Sequence, residues 1–291
     1  MYYVMRKPKN TQVRGMLMFL VCTLMWSISG VLIKTIPWNA IVIAGMRSFF
    51  AGIVMAVYIK ASGMRYYLDR TAIISGIFIS LLFMSFVLAN KLTTAANAIV
   101  IQSSAPMFVL LYNIFFGGKR AGKIDVFAVI LAMFGISIFF FDQLSAGMML
   151  GNFVALFSGV LMAAVYITTC GASSESNMNG ILLAHGITAM IGIPAAFLFE
   201  TPLGGGSVGG ILLLGIVQLG IPYVLYGLAV QHCPPLACSL LGITEAIFNP
   251  IWVFIASGES PSVLSLCGGV LVLASIAGWA VLSQRRAGAG V

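Results

Sequence analysis

The chain has 291 residues, of which 60% are hydrophobic and only 8% charged, with a mean hydropathy of +1.08. A soluble domain carries roughly 25% charged residues, so this composition excludes a water-exposed surface of matching size. The formal charge of +8 is not gathered into any basic surface domain, which argues against a nucleic-acid partner.

Lipid admits two spanning architectures, the helical bundle and the closed barrel. Barrel strands would alternate in polarity over ~10 residues, whereas the apolar runs here approach the ~20 residues of a spanning helix. The expected fold class is therefore all-α integral membrane. A basic head (Arg6, Lys7, Lys9, Arg14) precedes the first run, which is too long for a signal-peptide core and lacks a small-residue cleavage site. It reads as the first span, 15–35, and ends at Ile36-Pro37. The second and third spans, 38–60 and 71–90, flank the polar stretch 60–70. Lys91 separates the third from the fourth, 94–117, so tightly that the two form an antiparallel hairpin. Gly117-Gly118-Lys119-Arg120 and Asp142 bound the fifth, 124–141. The remaining spans are 148–171, 179–199, 208–230, 235–257 and 262–283. Their breaks are the polar run 173–179, the glycines 204–206, Pro234-Pro235 and the segment 257–261. That makes ten transmembrane helices.

The five cysteines (Cys22, Cys170, Cys233, Cys238, Cys267) include no CxxC pair. Neither a disulfide framework nor a zinc site is expected, and no cofactor. The cationic residues sort by side. With the N-terminus in the cytoplasm, twelve of the fifteen Lys and Arg residues fall inside, Lys34 and Lys91 fall outside, and Arg47 lies within a span. This is the positive-inside pattern. It predicts a multi-pass protein of the plasma (inner) membrane with both termini cytoplasmic; the second half rests on Arg285 and Arg286 alone.

Sliding the chain on itself by 140 residues places Phe83 on Tyr223, Phe86 on Tyr226, Phe108 on Phe248 and Tyr112 on Trp252. Leu88-Ala89 recurs as Leu228-Ala229. Two copies of five spans, 1–143 and 144–291, would enter the membrane with opposite topology. Inverted repeats are an architecture of secondary transporters, with the binding site near the midplane between the halves.

The stretch Ser103-Ser104-Ala105-Pro106, leading through Phe116-Gly117-Gly118-Lys119-Arg120, has a counterpart in Ile243-Thr244-Glu245-Ala246, leading to Ala256-Ser257-Gly258-Glu259-Ser260. Both resemble the end-of-repeat pattern of EamA-type members of the drug/metabolite transporter superfamily. Leu24-Met25-Trp26-Ser27 and Met46-Arg47-Ser48-Phe49 resemble that family too. The resemblance implies two inverted five-helix bundles around a central cavity, and export of small metabolites. Lys119 stands where the first repeat of the family usually shows an acidic residue, and Ala246 where a proline commonly follows the glutamate.

Two charged side chains, Arg47 and Glu245, lie deep in the predicted spans. A charge at mid-membrane costs at least ~2.5–3.5 kcal/mol, so such groups face a bundle interior or a wet cavity. Arg47 suits a carboxylate, which it can hold by two parallel hydrogen bonds; Glu245 suits an amine or a proton. Gly242, Glu245, Asn249 and Trp252 follow helical spacing on one face, as do Asn97, Ile101, Ser104, Phe108 and Tyr112. Phe83, Phe86 and Asn90 in the third span, Tyr223 and Tyr226 in the eighth, and Trp26 in the first complete an aromatic wall with few polar anchors, the usual makeup of a small-molecule site. Each aromatic alone is more often packing, and Arg47 and Glu245 could equally fix helix packing. His185 is a second proton-coupling candidate beside Glu245.

The expected function is a secondary transporter exporting small metabolites by alternating access, with an amino acid or similar amphipathic compound as substrate and protons as a candidate coupling ion. Efflux of cationic drug-like compounds held by Glu245 is the alternative. A channel or a membrane-embedded enzyme is the alternative of another class; no P-loop, HExxH motif or carboxylate pair appears. The lipid bilayer is the remaining partner, and the internal repeat makes a monomer sufficient, though a homodimer is compatible.

Overall fold

The computed structural model describes residues 9–118, 122–142 and 149–257, together with 263, 267–268, 270–271, 274–275, 278–279 and 281–282. Among these residues every regular element is helical. The helices are α1 (Lys9–Trp26), α2 (Ser29–Thr35), α3 (Ala40–Ala61), α4 (Arg70–Leu92), α5 (Ala95–Gln102), α6 (Ala105–Phe115) and α7 (Lys123–Asp142). They continue with α8 (Met149–Thr169), α9 (Ser174–Ala195), α10 (Gly205–Leu212), α11 (Ile221–Ala229), α12 (Pro235–Gly242) and α13 (Thr244–Ser257). A π-helix, Leu213–Gly220, joins α10 to α11, and a 3-10 turn, Val230–His232, ends that run.

Seven helical stretches among the described residues are long and apolar enough to cross a membrane, which makes the chain an all-helical, multi-pass membrane protein. Helix is found over each expected span from the first to the ninth. Half of the tenth, 262–283, lies outside the described residues; those described within it are helical, and two of them hold α7 through Ser275 Oγ to the Ala128 carbonyl and Trp279 Nε1 to Asp125.

Several expected spans are interrupted, for local reasons. Pro106 has no N–H for the carbonyl of Gln102 four residues back, and its ring crowds that carbonyl; the fourth span breaks between α5 and α6 at Ser103-Ser104. Pro222 likewise leaves the carbonyl of Gln218 without its partner, and the ladder slips into the π-helix there. The first span breaks at Ser27, whose hydroxyl donates back to the Leu24 carbonyl, a bond that competes with the helix. The polar run 173–179, expected as a loop, is instead mostly the first turns of α9. Ser173 caps it by accepting from the Ser176 N–H, and Glu175 sits at the positive end of the helix.

α3 packs on α9, and α4 lies against both α8 and α9. The π-helix and α11 lie against α3 and α1; α5 and α6 lie on α8, while α12 and α13 lie on α1. At the α3–α9 crossing two glycines meet, and a Cβ on either Gly45 or Gly192 would collide with the backbone of the other helix. A shift of 140 residues carries the bounds of α5 onto those of α12, and the break at Ser103-Ser104 onto the break at Ile243. Contacts repeat in the same way. Gly151 abuts Leu92 and Thr93, while Gly15 abuts His232 and Cys233. Gly159 abuts the Ser104 hydroxyl, while Thr23 hydrogen-bonds the Thr244 hydroxyl at 2.8 Å.

Candidate functional site

The interrupted helices enclose a central cavity of about 30 Å³ lined by Trp26, Arg47, Leu82, Phe83, Phe86, Gln102, Met162, Gln218, Leu219, Tyr223 and Glu245. Its volume matches a water molecule or two; a metabolite enters only if the walls part. A second void of about 10 Å³ lies beyond Gln102, Met162 and Glu245, which border both; Ser103, Tyr166, Ser239 and Gly242 also line it. Glu245 therefore stands between two cavities, two residues past the break at Ile243.

Arg47 comes from mid-α3 and is 1% exposed. One guanidinium nitrogen donates to the Phe83 carbonyl at 3.2 Å, and the group lies 5.9 Å from the centre of the Phe83 ring. These contacts orient it and leave donors over, because its Nε has no partner among the described residues. Two further wall residues keep an unpartnered buried atom, Nε1 of Trp26 and Oε1 of Gln218; the Gln218 amide nitrogen is used on the Trp26 carbonyl at 3.3 Å. No ion pair joins Arg47 to Glu245 among the described residues, and no hydrogen bond from them reaches the Glu245 carboxylate. A buried polar group without a partner is costly in a dry interior. A guanidinium, a carboxyl group, a free indole N–H and a free amide oxygen around one void thus form a constellation suited to a small polar ligand.

The aromatic wall is continuous. Trp26 and Tyr223 stand 4.9 Å apart between ring centres, and Phe83 meets Tyr223 edge-on at 5.0 Å. Tyr226 is packed behind them, 5.7 Å from Trp26, with its hydroxyl on Thr169 at 2.6 Å. His185 stacks on the far side of Phe83 at 4.9 Å. Neither of its ring nitrogens has a partner among the described residues, and it does not line the void.

The other expected residues lie elsewhere. Asn249 donates to the Ser27 carbonyl at 2.9 Å and Trp252 to the Ser27 hydroxyl at 2.6 Å, so both staple α13 to the break between α1 and α2. Asn90 is buried in α4 and bonds the Phe86 carbonyl. Ser104 lies against Gly159, Phe108 is half-buried in α6, and Tyr112 is 40% exposed and stacked on Phe116. The side chain of Asn97 lies outside the described residues. The walls also include Gln102, Met162 and Gln218, which sequence reasoning did not select. Gln218 carried a usable signal, a long amide deep in an apolar run. Met162 carried another: the 136-residue shift that takes Thr23 onto Gly159 takes Trp26 onto Met162.

Comparison with known proteins agrees with this architecture. The model of the EamA-like transporter family matches residues 13–141. An uncharacterized transporter of Archaeoglobus fulgidus is 24% identical over 213 residues, 72% of this chain and 75% of that protein. A protein of known crystal structure superposes with a TM-score of 0.78 at 17% identity, covering 94% of this chain and 99% of the other, which is a likeness of fold. Over residues 13–141 the chain matches the EamA-like transporter family, and together these findings support an EamA-type member of the drug/metabolite transporter superfamily, a membrane transporter.

Proposed function

We propose that the protein exports small amphipathic zwitterions, amino acids with apolar or aromatic side chains, by alternating access between two inverted five-helix repeats, 1–143 and 144–291. The observation that carries the reading is the pairing of Arg47 and Glu245 on one cavity without an ion pair between them. Arg47 receives the carboxylate, joined by the Trp26 indole. Glu245 receives the ammonium, joined by the Gln218 amide oxygen. Trp26, Phe83 and Tyr223 cover the side chain. Support for the repeat is the 140-residue correspondence of α5 with α12 and of their flanking breaks. Two equivalent bundles around one site can rock between two equivalent states. The small cavity corresponds to a state closed on both sides.

In this reading ten helices cross the plasma membrane, both termini are cytoplasmic, one chain suffices, and Glu245 is the group that would couple a proton to export. The test is uptake into proteoliposomes of L-phenylalanine, L-threonine and tetraphenylphosphonium, with and without a pH gradient. Wild type should move the zwitterions, and Arg47→Ala and Glu245→Gln should each lose that transport while staying folded. If only the organic cation moves, and Arg47→Ala moves it as well as wild type, the cavity serves cations and the zwitterion reading fails.

A further inference from the structure

We propose that Cys170 and Cys238 are a peroxide-reactive thiol pair whose disulfide locks one end of the transport path shut. The consequence for transport rests on the alternating-access reading above; the bond itself rests on the geometry of the thiols.

The opposite end shows what a clasp at this position does. There the Lys34 ammonium donates to the Thr93 carbonyl at 2.6 Å, and the Lys91 ammonium to the Ile36 carbonyl at 2.5 Å. Each lysine ends one helix and satisfies a carbonyl at the end of the other, so the first and third spans hold each other reciprocally. The 136-residue shift that takes Thr23 onto Gly159 takes Lys34 onto Cys170, and the 140-residue shift takes Thr93 onto Cys233. One of the two lysine–carbonyl pairs thus falls on two cysteines at the other end, while Lys91 and Ile36 fall on Gln231 and Ala172.

Cys170, directly after α8, lies 3.6 Å sulfur to sulfur from Cys238 in α12. The sulfurs must approach by roughly 1.5 Å to reach the ~2.05 Å of a disulfide, a movement of side-chain size. Cys170 is partly exposed while Cys233 and Cys238 are buried, so Cys170 is the thiol a small oxidant meets first.

The reactant is a hydroperoxide. The Cys170 thiolate attacks one peroxide oxygen and the O–O bond breaks; the sulfur becomes a sulfenic acid, and the departing oxygen takes a proton as alcohol or water. The Cys238 sulfur then attacks the sulfenic sulfur, the S–O bond breaks, and hydroxide leaves with the thiol proton as water. Two thiols are oxidised by two electrons and one peroxide is reduced. The product ties the end of α8 to α12, the helix that leads into the break at Ile243 and on to Glu245. The pair cannot separate, and the path cannot open at that end.

Purified protein in proteoliposomes is treated with hydrogen peroxide, digested without reductant and read by mass spectrometry, with L-phenylalanine uptake and hydrogen exchange of Pro235–Gly242 measured in parallel. Wild type should yield the Cys170–Cys238 peptide, slow exchange in α12 and lose uptake at least tenfold, with dithiothreitol restoring both. Cys170→Ser and Cys238→Ser should resist peroxide; Cys267→Ser should remain sensitive. Absence of the linked peptide, or its presence with unchanged exchange in α12, overturns the lock. If the peptide forms and exchange slows but reduced wild type moves no amino acid, the thiol pair stands and the substrate reading fails.

Discussion

α13 presents two polar regions to the rest of the bundle, and they are handled in opposite ways. Beyond its first turn, Asn249 and Trp252 end on Ser27 at the break between α1 and α2, at 2.9 and 2.6 Å. In its first turn, Glu245 ends on a void, facing Arg47, Trp26 and Gln218, three residues that keep unpartnered atoms. Both regions are unusual for an apolar helix, and sequence alone weighs them equally. The difference is satisfaction. A polar group whose hydrogen bonds are spent on a neighbouring helix is fastening that helix; a polar group left open beside a cavity is available to a ligand. The lower region should therefore govern transport, and the upper one stability.

That contrast can be broken by substitution. The largest effect should come from neither region but from the crossing that holds the bundle around them. Gly192→Val drives a branched side chain into the α3 backbone, and no folded monomer should survive on size-exclusion chromatography in mild detergent. Next, Glu245→Gln should lower zwitterion uptake by tenfold or more, about 1.4 kcal/mol or above, with thermal stability within a few degrees of wild type. Trp252→Phe should do the reverse. Loss of one buried hydrogen bond costs about 1 kcal/mol, read as a lower melting temperature, with uptake per folded protein nearly unchanged. Tyr112→Ala should do almost nothing to either, because that ring lies on the outside of α6 at 40% exposure. A loss of uptake in Trp252→Phe equal to that in Glu245→Gln would erase the distinction between the two regions.

Much of the scaffold was legible. Hydropathy located helix over the first nine expected spans because lipid leaves a run of apolar residues little choice. Of the proposed site the charges stood out in the sequence, since a midspan Arg and Glu are costly. It was less legible in its lining. Counting three and four residues along the fourth span put Asn97, Ser104, Phe108 and Tyr112 on one face. The helix breaks at Ser103-Ser104, so the count runs through a change of phase. Across Ile243 the count survives, since Gly242 and Glu245 both face a cavity, but Asn249 and Trp252, further along the same helix, meet Ser27 instead. Pro106 marked the first break two residues downstream of it. The second carries no such proline, and only the 140-residue correspondence points to it. Gln102 and Gln218 escaped attention because neutral amides do not register as a cost in the way charges do.

The central claim is that Arg47 and Glu245 hold the two ends of one zwitterion. It is tested most directly by calorimetric binding of L-phenylalanine and L-phenylalaninamide, which lacks the carboxylate, to wild type and Arg47→Ala. The account predicts that removing the carboxylate from the ligand and removing the guanidinium from the protein each weaken binding at least tenfold, and that doing both costs no more than either alone. Losses that simply add, or an amide that binds wild type as tightly as the amino acid, would contradict it.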